Sequence, residues 1–169
     1  MSGHMSRKKG ETDTFLGKHV LILGLGKFGG GVGVTRFLSH EGAFIRVSDS
    51  ASKEELSHSI DQLTDCEIEY HFGPHTSDVL DNIDCVVVNP AFPPNHPFIT
   101  EIEKRGILQT TEVNIFFERC KGTIIGIIGT NGKETVARLA DSQLRKLGKK
   151  VVIGGNIGRS LLGLIDTID

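Results

Sequence analysis

The stretch 123–147, TIIGIIGTNGKETVARLADSQLRKL, is the strongest constraint on what this chain can become. An apolar run ends in Gly129-Thr130-Asn131-Gly132-Lys133, and an amphipathic helical pattern follows at once. Strand, glycine turn and helix in that order make a phosphate cradle. Successive backbone N–H groups of such a turn, with the positive end of a helix behind them, attract an anion. A lysine at the helix start reaches the outer phosphates of a nucleotide. The ordinary P-loop places four residues between its first glycine and its Gly-Lys pair. Here two residues separate Gly129 from Gly132, so the turn is a shorter variant.

A second glycine turn lies upstream. Gly24-x-Gly26-x-x-Gly29 follows the apolar run 18–24 and opens a helix that reaches about His40. Asp49 ends the next apolar run, twenty residues after Gly29. This is the dinucleotide-binding fingerprint: strand, turn, helix and acid. It brings backbone close to a phosphate or a ribose and leaves the ligand open. A non-catalytic NAD-type or nucleotide-sensing regulatory module fits it too. The bland alternative is that these glycines only let helix and strand pack closely. Gly30, Gly31 and Gly33 exceed what packing needs, and they loosen the helix start.

The rest of the chain alternates. Strands are expected at 18–24, 43–48, 67–72, 84–88, 107–110, 123–128 and 149–153. Helices are expected to about His40, at 52–63 with Ser52 as N-cap, at 98–105, to Leu147, and from Ser160. A short helix or turn fits 76–83, a proline-rich loop 91–97, and a helix or connector 111–120. Alternation of this kind predicts a parallel sheet with right-handed crossovers. The second glycine loop, Gly154-Gly155-Asn156-Ile157-Gly158, follows the last strand.

Composition narrows the function. Nineteen basic and 21 acidic residues give a net charge of −2, with the signs mixed, so no basic field invites a nucleic acid or a membrane surface. No apolar run approaches the ~20 residues of a membrane span. Cys66, Cys85 and Cys120 have no metal-ligand spacing and read as reduced thiols. The polar start shows no signal peptide. Residues 1–5 read as a vector scar and 6–14 as a disordered leader. His71 and His75 are split by Gly73-Pro74, so they share no helix face; His96 reads as a solvated loop residue, and His19, His40 and His58 as surface. Phe116, Phe117 and 86–88 read as core, and Lys149-Lys150 as a solvated face.

The short cradle GTNGK is characteristic of the Mur ligases and the related folylpolyglutamate synthases. From about Leu16 onward the chain resembles the N-terminal part of the Mur ligases that add D-glutamate. The resemblance rests on GLGKFGGG (24–31), VSDS (47–50), VVVNPAFPPNHP (86–97), TEVNIFFE (111–118), GTNGKET (129–135) and GGNIGRSLL (154–162). A folate enzyme would lack the first Rossmann-like domain.

The resemblance implies an α/β architecture: a Rossmann-like parallel-sheet domain at 15–120, then a truncated P-loop α/β domain at 121–169, with the boundary at 120–122. It implies an ATP-dependent amide-bond-forming ligase of peptidoglycan precursor synthesis, cytoplasmic and monomeric, serving cell wall, shape and division. The first domain would hold the UDP part of UDP-N-acetylmuramoyl-L-alanine. The matching positions are Gly26, Lys27 and Phe28, Asp49 and Ser50, Asn89, Pro90 and Ala91, and Asn156. Gly129, Thr130, Asn131, Gly132, Lys133, Glu134 and Thr135 match the ATP site, with Lys133 as the catalytic contact to the phosphates. ATP would phosphorylate the substrate carboxylate to an acyl phosphate, which the amine of D-glutamate attacks. ATP and Mg²⁺ are the implied cofactors.

Two departures stand out. The family carries Ser or Thr where this chain has Glu134, the position of a Mg²⁺ ligand. A carboxylate there either ligates the metal or weakens ATP binding, since two unit charges ~4 Å apart repel by ~4 kcal/mol at an effective dielectric of ~20. The alternative is that Glu134 simply starts its helix, where the dipole favours an acid. The second departure is length: the family continues well past Asp169, so this chain by itself is expected to be inactive.

Overall fold

The computed structural model describes residues 15–27, 29–155 and 160–168. The leader 1–14, Phe28 and Asn156 lie outside the described residues. Five parallel strands form one sheet in the order β3-β2-β1-β4-β5. The central strand β1 (His19–Leu23) reads HVLIL and is buried from Val20 onward. A strand apolar on both faces belongs in the middle of a parallel sheet. It pairs with β2 (Phe44–Asp49) on one side and β4 (Cys85–Val88) on the other. β3 (Ile68–Phe72) pairs with β2, and β5 (Leu108–Thr110) with β4.

Side chains on β1 alternate between two cores, as the two-residue period of a strand requires. Val20 and Ile22 face a cluster with Phe15, Leu38 of α1 (Gly30–His40), and Ile115 and Phe116 of α4 (Glu112–Arg119). Leu21 and Leu23 face the other, with Val79, Leu80, and Phe98 and Ile102 of α3 (Pro97–Lys104). Phe117 is 54% exposed, which corrects its assignment to the core; only Phe116 of the pair turns inward.

Local chemistry explains where helices begin. The expected helix at 52–63 is shorter: α2 covers Ser57–Asp61. Ser52 and Glu55 still form a reciprocal capping box, Ser52 N donating to Glu55 Oε2 at 3.1 Å and Glu55 N to Ser52 Oγ at 3.3 Å. α3 starts at Pro97, and the preceding His96 caps it: Nδ1 accepts from Phe98 N at 3.1 Å. His96 is therefore a helix cap and not a freely solvated loop residue. Thr111 caps α4 by accepting from Asn114 N at 3.2 Å.

The glycines after the first turn are a packing device, contrary to the expectation that they exceed packing needs. A Cβ on Gly31 would overlap the carbonyl oxygen of Leu25 and lie 2.7 Å from its carbon. A Cβ on Gly33 would overlap the Ser160 side chain. α1 is close-packed on both sides because these positions carry no side chain.

The cradle stretch meets only part of its expectation. α5 (Lys133–Lys146) forms and ends before Gly148, which has φ 73°. Among the described residues, 123–128 and 149–153 form no strand. A strand needs a hydrogen-bonded neighbour, and here the apolar side chains stand in solvent: Ile128 is 95% exposed, and α5 buries no residue. The segment after Ser160 is a 3₁₀ helix (Leu162–Thr167) that buries Leu162 in the core shared with α1 and α4. No helix among the described residues is long and apolar enough to cross a membrane.

Candidate nucleotide-binding site

The carboxyl ends of β1, β2 and β4 meet where the strand order reverses, the usual crevice of an open α/β sheet. Three segments singled out from sequence converge there: the turn 24–29, Asp49-Ser50 and 89–91. Gly24, Gly26 and Gly29 have φ of 87°, 67° and 88°, conformations that side chains resist. Gly24 N donates to Ser48 O at 2.8 Å, which stitches the turn to the end of β2.

Asp49 is a strut for this turn. It is 8% exposed, and its Oδ2 accepts from Gly26 N at 3.0 Å while Oδ1 accepts from Ala51 N at 2.9 Å. Asn89 does the same from β4: Nδ2 donates to Gly24 O at 3.0 Å, and Oδ1 accepts from Ala91 N at 2.9 Å. Ser59 Oγ donates to Gly26 O at 2.8 Å. Both polar ends of the turn are thus fixed before any ligand arrives. Lys27 is exposed and pairs with Glu55 at 3.3 Å. Ser50, Pro90 and Ala91 are largely solvent-facing around the turn. A groove of about 440 Å³ opens beside Asn89 and Pro90, between Phe92, Ile99, Thr110 and Asn114. The Thr110 hydroxyl is buried and has no hydrogen-bond partner among the described residues.

The structure adds a residue that sequence spacing passed over. His75 Nδ1 shares a 2.7 Å hydrogen bond with Ser48 Oγ, and its ring contacts Phe92, His96 and Phe98 at 5.2, 6.0 and 5.4 Å. Burial, with His96 adding to it, lowers the His75 pKa, partly offset by Asp49. The neutral ring braces the 91–97 loop against β2. The signal in the sequence was the aromatic content of AFPPNHPF, whose partner across the sheet is not readable from spacing.

The second cradle has its own geometry. Gly132, φ 77°, is the N-cap of α5. Lys133 Nζ folds back onto the turn, donating to Gly129 O and, at 3.4 Å, to Thr130 O. Asn131 and Thr135 are exposed beside it. Glu134 turns along the helix to Arg138, with Oε1 accepting from Nε at 3.1 Å and Nη2 at 2.6 Å. A Mg²⁺ drawn to Glu134 would share the carboxylate with that guanidinium, so the fit to the metal is poor.

A five-stranded parallel sheet with fixed glycine and Asx turns at its switch point defines a Rossmann-like α/β domain. The chain belongs to the Mur ligase MurD-like family, whose N-terminal domain model matches residues 18–110. It is 39% identical over 152 residues to the UDP-N-acetylmuramoylalanine--D-glutamate ligase of Roseiflexus sp. (strain RS-1), covering 90% of this chain and 33% of that protein. It is 38% identical over 151 residues to that of Borreliella afzelii (strain PKo), with 88% and 33% covered. The chain thus spans about a third of the length of these curated relatives. Among solved structures, it is similar in fold to the murein peptide ligase mpl from Psychrobacter arcticus 273-4, with TM-score 0.50 and 21% identity over 78% of this chain and 27% of that one. The MPL ligase from Neisseria meningitides gives TM-score 0.50 at 19% identity, covering 78% and 40%.

Proposed function

We propose that this chain is the UDP-binding part, with the start of the ATP-binding domain, of the ligase that adds D-glutamate to UDP-N-acetylmuramoyl-L-alanine. The observation that carries the reading is the convergence of 24–29, 49–50 and 89–91 at the switch point, in a chain of this family. Residues 15–120 form the UDP-binding domain and 121–169 begin the ATP-binding one. Gly26, Lys27 and Phe28 are the turn positions assigned to the diphosphate, with the Lys27 ammonium as the cation. Asp49 and Asn89 hold the turn open for it, Ser50, Pro90 and Ala91 border the nucleoside, and Asn156 meets the substrate beside the cradle. Asp49 accepts one backbone N–H on each oxygen, which ties the turn to the end of β2.

In the longer enzyme Lys133 would contact the phosphates of ATP within 129–135, countering charge on the transferred phosphoryl group. Attack of the D-glutamate amine on the acyl phosphate then forms the amide and releases phosphate. ATP and Mg²⁺ belong to that cytoplasmic reaction of peptidoglycan synthesis. This chain alone, a monomer, is expected to bind and not to turn over.

Titration of UDP-N-acetylmuramoyl-L-alanine and of NADH separates the readings. Saturable binding of the UDP-sugar and none of NADH is expected; the reverse would refute the proposal. Glu134 makes a second prediction. Glu134→Ser removes a carboxylate beside the phosphates, so ATP should bind the variant more tightly in the same calorimeter. Equal affinities would refute a weakening role for Glu134.

A further inference from the structure

A cluster of ligand-type side chains lies at the opposite end of the strands from the glycine turn. α1 ends at His40, and the connection from α2 to β3 passes beside it at Asp65 and Cys66. The His40 ring nitrogen, an Asp65 carboxylate oxygen and the Cys66 Sγ all lie within 4.8 Å of one another. No sequence spacing announces this group, because His40 comes from a different element.

The cluster is held in place. Arg36 Nε stands 3.4 Å from Asp65 Oδ2, and Arg36 also donates to the carbonyl of Gln62. His40 Nε2 lies 3.9 Å from the same Asp65 oxygen. Cys66 N donates to Leu63 O at 3.0 Å, and its half-buried side chain packs against the core. The backbone N–H of Asp65, then Arg36, keep its carboxyl below the usual value.

A thiolate, an imidazole and a carboxylate are the donor types of zinc, bound at about 2.3, 2.0 and 2.1 Å. Hard cations such as Mg²⁺ and Ca²⁺ take oxygen ligands and have little use for the thiolate. Arg36 supplies the outer hydrogen bond that ligating carboxylates carry. Its positive charge opposes a cation, which favours a site of modest affinity. Ligand bonds of about 2.0–2.3 Å put tetrahedral donors roughly 3.5 Å apart, so atoms within 4.8 Å of one another must close by about 1 Å to share an ion.

We propose that His40, Asp65 and Cys66 form a three-ligand site for a divalent cation of the zinc class, with the fourth position left to water. Bound there, the ion staples the end of α1 to the start of β3. The site stands a strand's length from the glycine turn, roughly 17 Å for five residues, and does not depend on what that turn binds.

Cobalt(II) is the probe, because a thiolate ligand gives it an intense near-ultraviolet charge-transfer band. It is titrated into the whole chain and into His40→Ala, Asp65→Asn and Cys66→Ser. One equivalent should bind with that band and be displaced by zinc. Cys66→Ser should abolish the band, and each of the other two should weaken binding about tenfold or more. All three side chains sit at or near the surface, and circular dichroism should show the variants folded. Absence of the band, its persistence in Cys66→Ser, or unchanged affinity in either other variant overturns the proposal.

Discussion

Gly31→Ala is expected to destabilise the domain by about 3 kcal/mol or more, the upper end of overpacking costs. The new Cβ would meet the Leu25 carbonyl, with the carbonyl carbon at 2.7 Å and the Cα at 2.8 Å. These are backbone atoms of the first glycine turn and have no rotamer to escape into. Relief requires α1 to move off the sheet, and α1 carries Val32, Val34 and Leu38 of the core. Urea unfolding measures the loss as a lower midpoint with little change in slope. Gly33→Ala serves as the contrast. Its new methyl overlaps the Ser160 side chain, so the misfit falls on the 160–168 segment and not on the sheet. Hydrogen exchange should then rise at 160–168 while the sheet stays protected. Equal stability of Gly31→Ala and the parent would show that the turn is not held against α1.

Asp49→Ala is expected to cut affinity for the UDP-sugar at least tenfold and to cost about 2–4 kcal/mol of stability. The carboxylate is nearly buried and accepts two backbone N–H bonds, at 3.0 and 2.9 Å. Hydrogen bonds to a charged group are worth about 1.5–3 kcal/mol each, and an orphaned buried donor costs more than the lost bond alone. Removing the side chain frees Gly26, the centre of the turn, from β2. Asp49→Asn keeps the shape and one acceptor oxygen, so it should fall between the two. Calorimetric titration together with thermal melting checks both effects. A variant that melts and binds like the parent would remove Asp49 from the site.

Much of this was legible because it is local. HVLIL announces a central strand by being apolar on both faces, and the GxGxxG turn with Asp49 announces the switch point. Asp49 came out in an unexpected role, since its oxygens face the turn and not the solvent. The need for Gly33 was hidden because its reason is Ser160, far along the chain. The cap role of His96 was hidden behind the prolines around it, although Pro97 at the first helical position was a usable sign. The strands expected at 123–128 and 149–153 show the limit most clearly. Apolar content predicts a strand only when a neighbour completes its hydrogen bonds, and no local pattern encodes that neighbour.

Ser160 donates to Glu112 Oε1 at 2.5 Å, and Leu162 is buried against α1 and α4. The chain therefore leaves the body of the sheet after α4 and comes back to that same helix. The excursion between them, roughly 40 residues, is anchored at both ends, so its closure entropy is already spent. Ligands held at the two glycine turns would not meet by free diffusion. Each would see the other at an effective concentration set by the length of that tether. Cutting the Glu112–Ser160 contact would lengthen that leash without touching either turn.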